Sequence, residues 1–444
     1  MMGRKSKQLC MVAIDMEELI PQDHLLRKIK AEIDFDFIYE ETEVYYSPIG
    51  RPSIDPVCLM KMLLVGYLYG IRSERRLEEE ITLNMAYRWF CGFDLMDTIP
   101  DHSTFSQNRR RRFTDSTIFR QIFNRIVGKC IETGLVAGES AVNDGSFIPA
   151  NVSWESRIEV TRLVEKSTVE YLEALEEELK ATEGYVRANR SVIEKKELKS
   201  STDKDCGYIH HETKKGLGYL AEMTVDTENG IITGVDCYSA NRRESDIILK
   251  HLERQQKDNS LEIKRLGLDA GYDVGAVHRG LEIMGITGYT SLRYAHNNPM
   301  KEGFTYQPEE DIFKCKEGKE LAFSKLILKK ATGYYRLYSI NPKSCRNCTR
   351  RDECKATSGQ IRISASPYYP AYYANRLRHE TPGYTQVKRL RGIWSEGTFA
   401  ALKNYHNLKR HRKRGINRIT EECLLSATAL NLKRFIKVVK AVGK

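Results

Sequence analysis

The sequence predicts a mixed α/β (α+β) protein: a mixed-sheet core, a helical domain ahead of it and a mostly β insertion before its last helix. Three observations predict this. Residues 11–112 carry apolar positions at helical spacing. From about residue 135, short apolar runs such as LVAGESAV, GYLAEMTV, GIITGV and IKRLGL alternate with helical stretches. Between residues 293 and 385 the composition shifts to tyrosine and strand-like runs, KLILKK, YYRLYSI and QIRISA. A chain of 444 residues accommodates two or three domains.

The elements follow in order. PQDHLLRKIKAEI is an amphipathic helix, and Pro48, Pro52 and Pro56 mark a loop before an apolar helix from Val57 to Gly70. SERRLEEEITLNMAYRWFCGF places Leu77, Ile81, Met85 and Trp89 on one helical face. Asp101 or Ser103 can cap a helix ending in the run Arg109 to Arg112, where Arg109 and Arg110 are candidate DNA contacts. Residues 116–134 complete a helical domain over 1–134. The first part of the core, 135–292, opens with a strand reaching Asp144. A charged segment, about 154–200, is expected to be a helical hairpin on the spacing of Leu172, Leu175 and Leu179. A two-strand hairpin turns at Asn229-Gly230, a helix covers 242–254, and IKRLGL runs into Asp269. The β-rich insertion occupies 293–385, and residues 386–444 return to the core with basic helices carrying Glu396.

Charge is unevenly placed along the chain. The formal net charge is +11, yet residues 386–444 hold fifteen Lys or Arg against Glu396, Glu421 and Glu422, and the remainder is close to neutral. Between Thr381 and Thr420 there are ten Lys or Arg and the single acid Glu396. A basic block on a neutral body is the footprint of a nucleic-acid binder. Within it, Arg391, Lys403, Arg410, Arg412, Lys413 and Arg414 are the candidate phosphate contacts. Asp144 and Asp269 each follow an apolar run and precede a small residue, which places them at strand ends where α/β sheets gather chemistry. Two aspartates joined by Glu396 make an oxygen-rich set suited to Mg²⁺ or Mn²⁺. Two such ions about 3.5–4 Å apart clamp the attacking and leaving oxygens of a phosphodiester.

These residues resemble the insertion-sequence transposases of the DDE class, in the bacterial group with an N-terminal helical domain and an RNase H-like core. The resemblance rests on YSPIGRPSIDPVCLMKMLLVGYLYGIRSERRLEEEI, DHSTFSQNRRRRF, NDGSFIPANVS, LGLDAGYD and SEGTFAALKNYHNLKRHRKRGINRI. It implies a magnesium- or manganese-dependent enzyme with Asp144, Asp269 and Glu396 as catalytic triad and Lys403 near the transposon end. It further implies double-stranded DNA, transposon ends and target, as partner, and a homodimer on DNA. Relatives carry an arginine four residues before the glutamate; here that position is Gly392, with Arg391 and Arg389 nearby. Two other readings fit the same residues: an RNase H-like nuclease that cuts without joining, and a DNA-binding protein without catalysis.

Eleven cysteines and no export signal point to reduced thiols and a cytoplasmic, nucleoid-associated setting. The apolar run Met62 to Ile71 is too short to span a membrane. Cys345, Cys348 and Cys354, with Cys315 upstream, form either a structural zinc site or a set of reduced thiols in a basic loop. His102, His210, His211 and His278 lack the spacing of a metal set. Trp394 is expected to pack, with base stacking as the alternative.

Overall fold

A computed structural model describes residues 14–47, 49–50, 53–114, 116–165, 172–186, 192–211, 214–293, 303–329, 333–350 and 362–442. The chain divides into two units. One comprises residues 1–126, 402–408 and 424–444, the other 127–401 and 409–423.

Among the described residues of the second unit, thirteen strands follow in sequence: β1 (Ala141–Pro149), β2 (Arg157–Glu165), β3 (Val192–Ser200), β4 (Gly207–His211), β5 (Lys214–Asp226), β6 (Ile232–Ser239), β7 (Arg265–Leu268), β8 (Thr287–Thr290), β9 (Thr305–Gln307), β10 (Ile312–Lys314), β11 (Glu320–Lys329), β12 (Gly333–Ser339) and β13 (Arg362–Ala365). The main sheet runs β6-β5-β1-β7-β8, with β4 continuing along the edge of β5. The first three strands are antiparallel, and β7 and β8 join parallel to β1. This is the RNase H-like arrangement. The near-continuous burial of β5 to β7 shows that both faces of this sheet are covered, the antiparallel strands as well as the parallel ones. Ala141, Leu266 and Leu268 face the helices Ile248–Asn259 and Gly275–Ile283 through Leu249, Leu252, Val277 and Leu281. Val142 and Gly267, at alternating positions, face the helix Pro382–Arg391 through Val387. The open edge of β8 is closed by Asn375, whose amide exchanges two hydrogen bonds with the Thr290 backbone, at 3.0 and 3.1 Å.

The hairpin at Asn229-Gly230 forms, with Gly230 at φ +73°. The charged segment departs from expectation. In place of a helical hairpin, β2 and β3 pair as an antiparallel ribbon, and one helix, Glu173–Ala181, lies between them in sequence. Ile158, Val160, Thr161 and Val164 favour a strand on one side, Val192 and Ile193 on the other. Leu172 and Leu175 are buried in the core of the main sheet, in one cluster with Val277 and Leu281 of the helix Gly275–Ile283. The helix expected over 242–254 starts later, as Ile248–Asn259, after a short turn Glu244–Asp246. The insertion folds as a five-stranded antiparallel sheet, β13-β12-β11-β10-β9, on an aromatic core of Tyr306, Phe313, Tyr338 and Tyr369. Its strands end at Ala365, and helices Tyr369–Arg378 and Pro382–Arg391 follow.

The first unit is helical. Apolar helix Pro56–Leu68 packs with Glu74–Leu83 and Met85–Cys91, which are capped by Asp55, Ser73 and Asn84. Residues 402–408 and 424–442 belong here and not to the core, to which all of 386–444 was expected to return. The tie is polar and buried. Asn407 donates to the carbonyls of Gly66 and Ile71, at 3.1 and 3.3 Å. The His406 ring lies 2.8 Å from the Tyr67 carbonyl, and Ser426 donates to the His406 carbonyl at 2.7 Å. Among the described residues, no helix is long and apolar enough to cross a membrane.

Candidate active site

Parallel register brings two of the expected acids together. Ala141 lies opposite Leu266 and Val142 opposite Gly267. Carried on by two residues, that register sets Asp144 level with Asp269 on neighbouring strands, about 5 Å apart. Both share the face of Val142 and Gly267, and therefore point to the side covered by helix Pro382–Arg391. Asp269 also closes the end of β7, accepting a hydrogen bond from the Gly271 amide at 2.7 Å.

Val387 sits against Gly267, and its Cγ1 would stand 2.6 Å from any β-carbon there. One helical turn later comes Arg391. Two strand residues rise about 6.6 Å and four helical residues about 6 Å, so a helix packed at Gly267 delivers its next turn over the aspartates. A single Arg391 Nη2 lies 3.7 Å from Asp144 Oδ2 and 3.6 Å from Asp269 Oδ2. These are ion pairs at longer range than hydrogen bonds. One positive charge thus stands between two carboxylates, a donor set that fits a hard divalent cation.

Glu396 follows through an unusual turn. Residues Gly392–Glu396 form a π-helix, continued by helix Gly397–Tyr405. In a π-turn the hydrogen bond spans five residues, so residues five apart stack as residues four apart do in an α-helix. Arg391 therefore stands one turn before Glu396, the place an arginine at position 392 would hold in an uninterrupted α-helix. The extra residue is absorbed by the wide turn. Trp394 anchors it: a β-carbon on Gly230 would fall 2.1 Å from Trp394 Cζ3, so only a glycine accommodates the indole there. Trp394 is used for packing. Glu396 is exposed, and Lys403 lies seven residues further, in the helix that follows.

On the opposite face of the sheet lies a set of polar groups that sequence reading missed. Glu222, fully buried in β5, pairs across the strands with Gly145. Its Oε1 accepts from Tyr272 Oη and from Asn143 Nδ2, both at 2.5 Å. Asn143 Oδ1 in turn accepts from Thr224, whose hydroxyl meets His251 Nε2 at 2.9 Å, and His251 Nδ1 lies 2.8 Å from Asp236. Burial, and then the charge of Glu244, push the Glu222 carboxyl well above the usual range. The clue in sequence was an acid in the middle of an apolar strand, LAEMTV.

The basic residues sort into two groups. Arg109 is buried and ion-paired with Glu74, so it is a packing residue and unavailable to phosphate. Arg110, its neighbour, is exposed. Arg412 pairs with Glu422 at 3.5 Å and Lys413 with Glu421, acids that begin just past the basic window. Although burial opposes ionisation of Glu422, the His411 hydrogen bond and the Lys413 and Arg412 charges hold its carboxyl below the usual range. Arg410 donates to the carbonyls of Ala150 and Val152, and Arg414 to that of Asn151. This run is partly neutralised and bound to the end of β1. Arg410 and Arg414 keep exposed surface. Arg391, expected on DNA, is engaged with Asp144 and Asp269. Cys315 and Cys345 pack against the aromatic core of the insertion, and Cys354 lies outside the described residues. Among the described residues, Cys315, Cys345 and Cys348 do not converge as metal donors, and no zinc is assigned.

Comparison with known proteins gives two family matches. Residues 14–111 match the Transposase domain (DUF772) family, and residues 314–436 match the Transposase DDE domain family. No curated protein matches the sequence. Among solved structures, the chain is similar to the piggyBac transposase synaptic complex with hairpin DNA, at 10% identity and a TM-score of 0.33, over 93% of this chain and 73% of that one. It is also similar to the Mos1 mariner paired end complex with Mn, at 9% identity and a TM-score of 0.18, over 59% of this chain and 66% of that one.

Proposed function

We propose that the chain, which matches the Transposase domain and Transposase DDE domain families over residues 14–111 and 314–436, is a DDE-type transposase that binds the terminal inverted repeats of its own element, cuts at the ends and joins each 3′-OH to target DNA. Asp144, Asp269 and Glu396 would hold Mg²⁺ or Mn²⁺. A divalent ion there supplies charge stabilisation for in-line displacement at phosphorus and lowers the pKa of the attacking water. Asp144 and Asp269 fix the donor oxygens from neighbouring strands, which keeps them rigid. Arg391 counters their charge and orients them. Glu396, exposed at the end of the π-turn, would complete the set. Lys403, Arg410, Arg414 and the exposed Arg110 are the cations offered to the phosphate backbone. Cutting and joining are both attacks by an oxygen on phosphorus, so one site serves both. Two ends must meet for joining, and a dimer on DNA is the working unit.

The observation that carries this reading is the shared Arg391 between Asp144 and Asp269, level on adjacent parallel strands. The test uses a labelled transposon end with Mg²⁺. Asp144→Asn, Asp269→Asn and Glu396→Gln are each expected to slow cutting by roughly 100-fold or more while retaining end binding. Parental cutting by all three would overturn the assignment. Cutting without joining to target DNA would reduce the protein to a nuclease.

A further inference from the structure

Resting on that reading, we infer that Tyr272 and Asn143 are positioning residues that fix the spacing of Asp144 and Asp269 from the rear of the sheet. The backbone pairing of β1 with β7 runs only as far as Val142 and Gly267. The two aspartates stand two residues further on, where Asp269 has already left its strand for the turn Ala270–Tyr272. In a parallel pair the hydrogen-bonded ladder sets the separation of facing residues, so past its end another tie has to do so. In front of the sheet that tie is Arg391, through ion pairs longer than hydrogen bonds.

Behind the sheet three side chains make a closer one. Asn143 precedes Asp144 and, by the alternation of a strand, points to the opposite face. Tyr272 ends the turn that follows Asp269. Asn143 Nδ2 donates to Tyr272 Oη at 3.2 Å, and both groups donate to Glu222 Oε1 at 2.5 Å. One oxygen from β5 thus collects the residue before one aspartate and the third residue after the other. The amide is kept from turning away because its Oδ1 accepts from Thr224, its cross-strand partner, at 2.8 Å. Asn143, Thr224, Glu222 and Tyr272 are all fully buried, so solvent does not replace a partner lost here. Removing the Tyr272 hydroxyl unties the turn from β1 and β5, and leaves the spacing of the aspartates to Arg391. Metal donors bind better when a network behind them sets their geometry before the ion arrives.

The test is Mn²⁺ binding to the full chain without DNA, read as free Mn²⁺ by electron paramagnetic resonance, beside thermal melts in metal-free buffer. Tyr306→Phe is the matched control. It too removes the hydroxyl of a buried tyrosine that donates to a carboxylate, Asp311 at 2.6 Å, but in the separate sheet of the insertion. Tyr272→Phe is expected to weaken Mn²⁺ binding about tenfold, the lower end of what is lost when groups that hold metal ligands in place are removed. Tyr306→Phe should keep the parental affinity while lowering the midpoint as Tyr272→Phe does. Asn143→Ser, which shortens the other side of the bridge, should weaken binding as Tyr272→Phe does. Parental affinity in Tyr272→Phe and Asn143→Ser, with affinity lost in Asp144→Asn and Asp269→Asn, would overturn this inference alone. So would equal losses of affinity in Tyr272→Phe and Tyr306→Phe, the mark of a merely structural role. Unaltered affinity in Asp144→Asn and Asp269→Asn would instead overturn the reading on which it rests. Should Tyr272→Phe melt near the titration temperature, the titration in the cold decides by the same outcomes.

Discussion

Gly267 sets how closely helix Pro382–Arg391 approaches the sheet, and Gly267→Ala tests whether that approach matters. The added methyl would stand 2.6 Å from Val387 Cγ1 and 3.2 Å from Val142 Cγ1. Ordinary carbon contacts fall at about 3.5–4.0 Å, so the helix must retreat by about 1 Å. Overpacking of this kind costs about 1–3 kcal/mol of stability. Arg391, one turn beyond Val387, moves with the helix, and Glu396 with Arg391. A displacement of 1 Å at a reacting centre costs on the order of 100-fold in rate. Single-turnover cutting of a labelled end should fall by that amount, with end binding retained. The double variant Gly267→Ala/Val387→Ala removes the offending Cγ1 and should regain most of the loss in both rate and urea midpoint. Parental cutting by Gly267→Ala would refute the link from helix seating to chemistry. So would failure of the second substitution to restore the rate, since the clash would then not be its cause.

Three further outcomes are expected. Gly230→Ala, at φ +73° and 2.1 Å from the Trp394 ring, should lower stability by about 1–3 kcal/mol, read as a reduced urea midpoint with unchanged slope. Arg109→Ala should cost about 1–3 kcal/mol by stranding Glu74, whereas Arg110→Ala should leave the thermal midpoint unchanged and reduce the salt slope of DNA binding by about one. His406 is buried, and desolvation depresses its pKa to about 4. Between pH 6.5 and 4 the unfolded chain binds a proton there that the folded chain refuses, so stability is full above pH 6.5 and declines toward pH 4. The decline is about 3 kcal/mol at most, and thermal melts of His406→Gln should show less of it.

The parts of this site that lay open in the sequence are those where an apolar run stops at an acid. Asp144 and Asp269 are such residues, and the Asn229-Gly230 turn is legible for a similarly local reason. The π-turn is different, because no residue pattern in GIWSE announces a five-residue hydrogen bond. Counted as an α-helix, the segment turns Arg391 away from Glu396. Glu222 is flagged in sequence only as an acid inside an apolar run, because its partners Asn143 and Tyr272 come from cross-strand pairing and from a distant loop. The ribbon of β2 and β3 was misread because Leu172, Leu175 and Leu179 gave a helical period to a stretch whose β-branched residues lay on either side. Arg109 was misread because a run of four arginines suggests a solvated face, while the helix turns one of them inward onto Glu74.

The polar stitches from Asn407, His406 and Ser426 to Gly66, Tyr67 and Ile71 carry a consequence for biosynthesis. Helix Pro56–Leu68 emerges from the ribosome more than three hundred residues before the segments that satisfy its last carbonyls. During translation the helices Glu74–Leu83 and Met85–Cys91 reach it at once, but its C-terminal end waits for Asn407 and His406, so the last turn stays open until the tail arrives. A message cut short would therefore leave behind a helical fragment with that end unsealed.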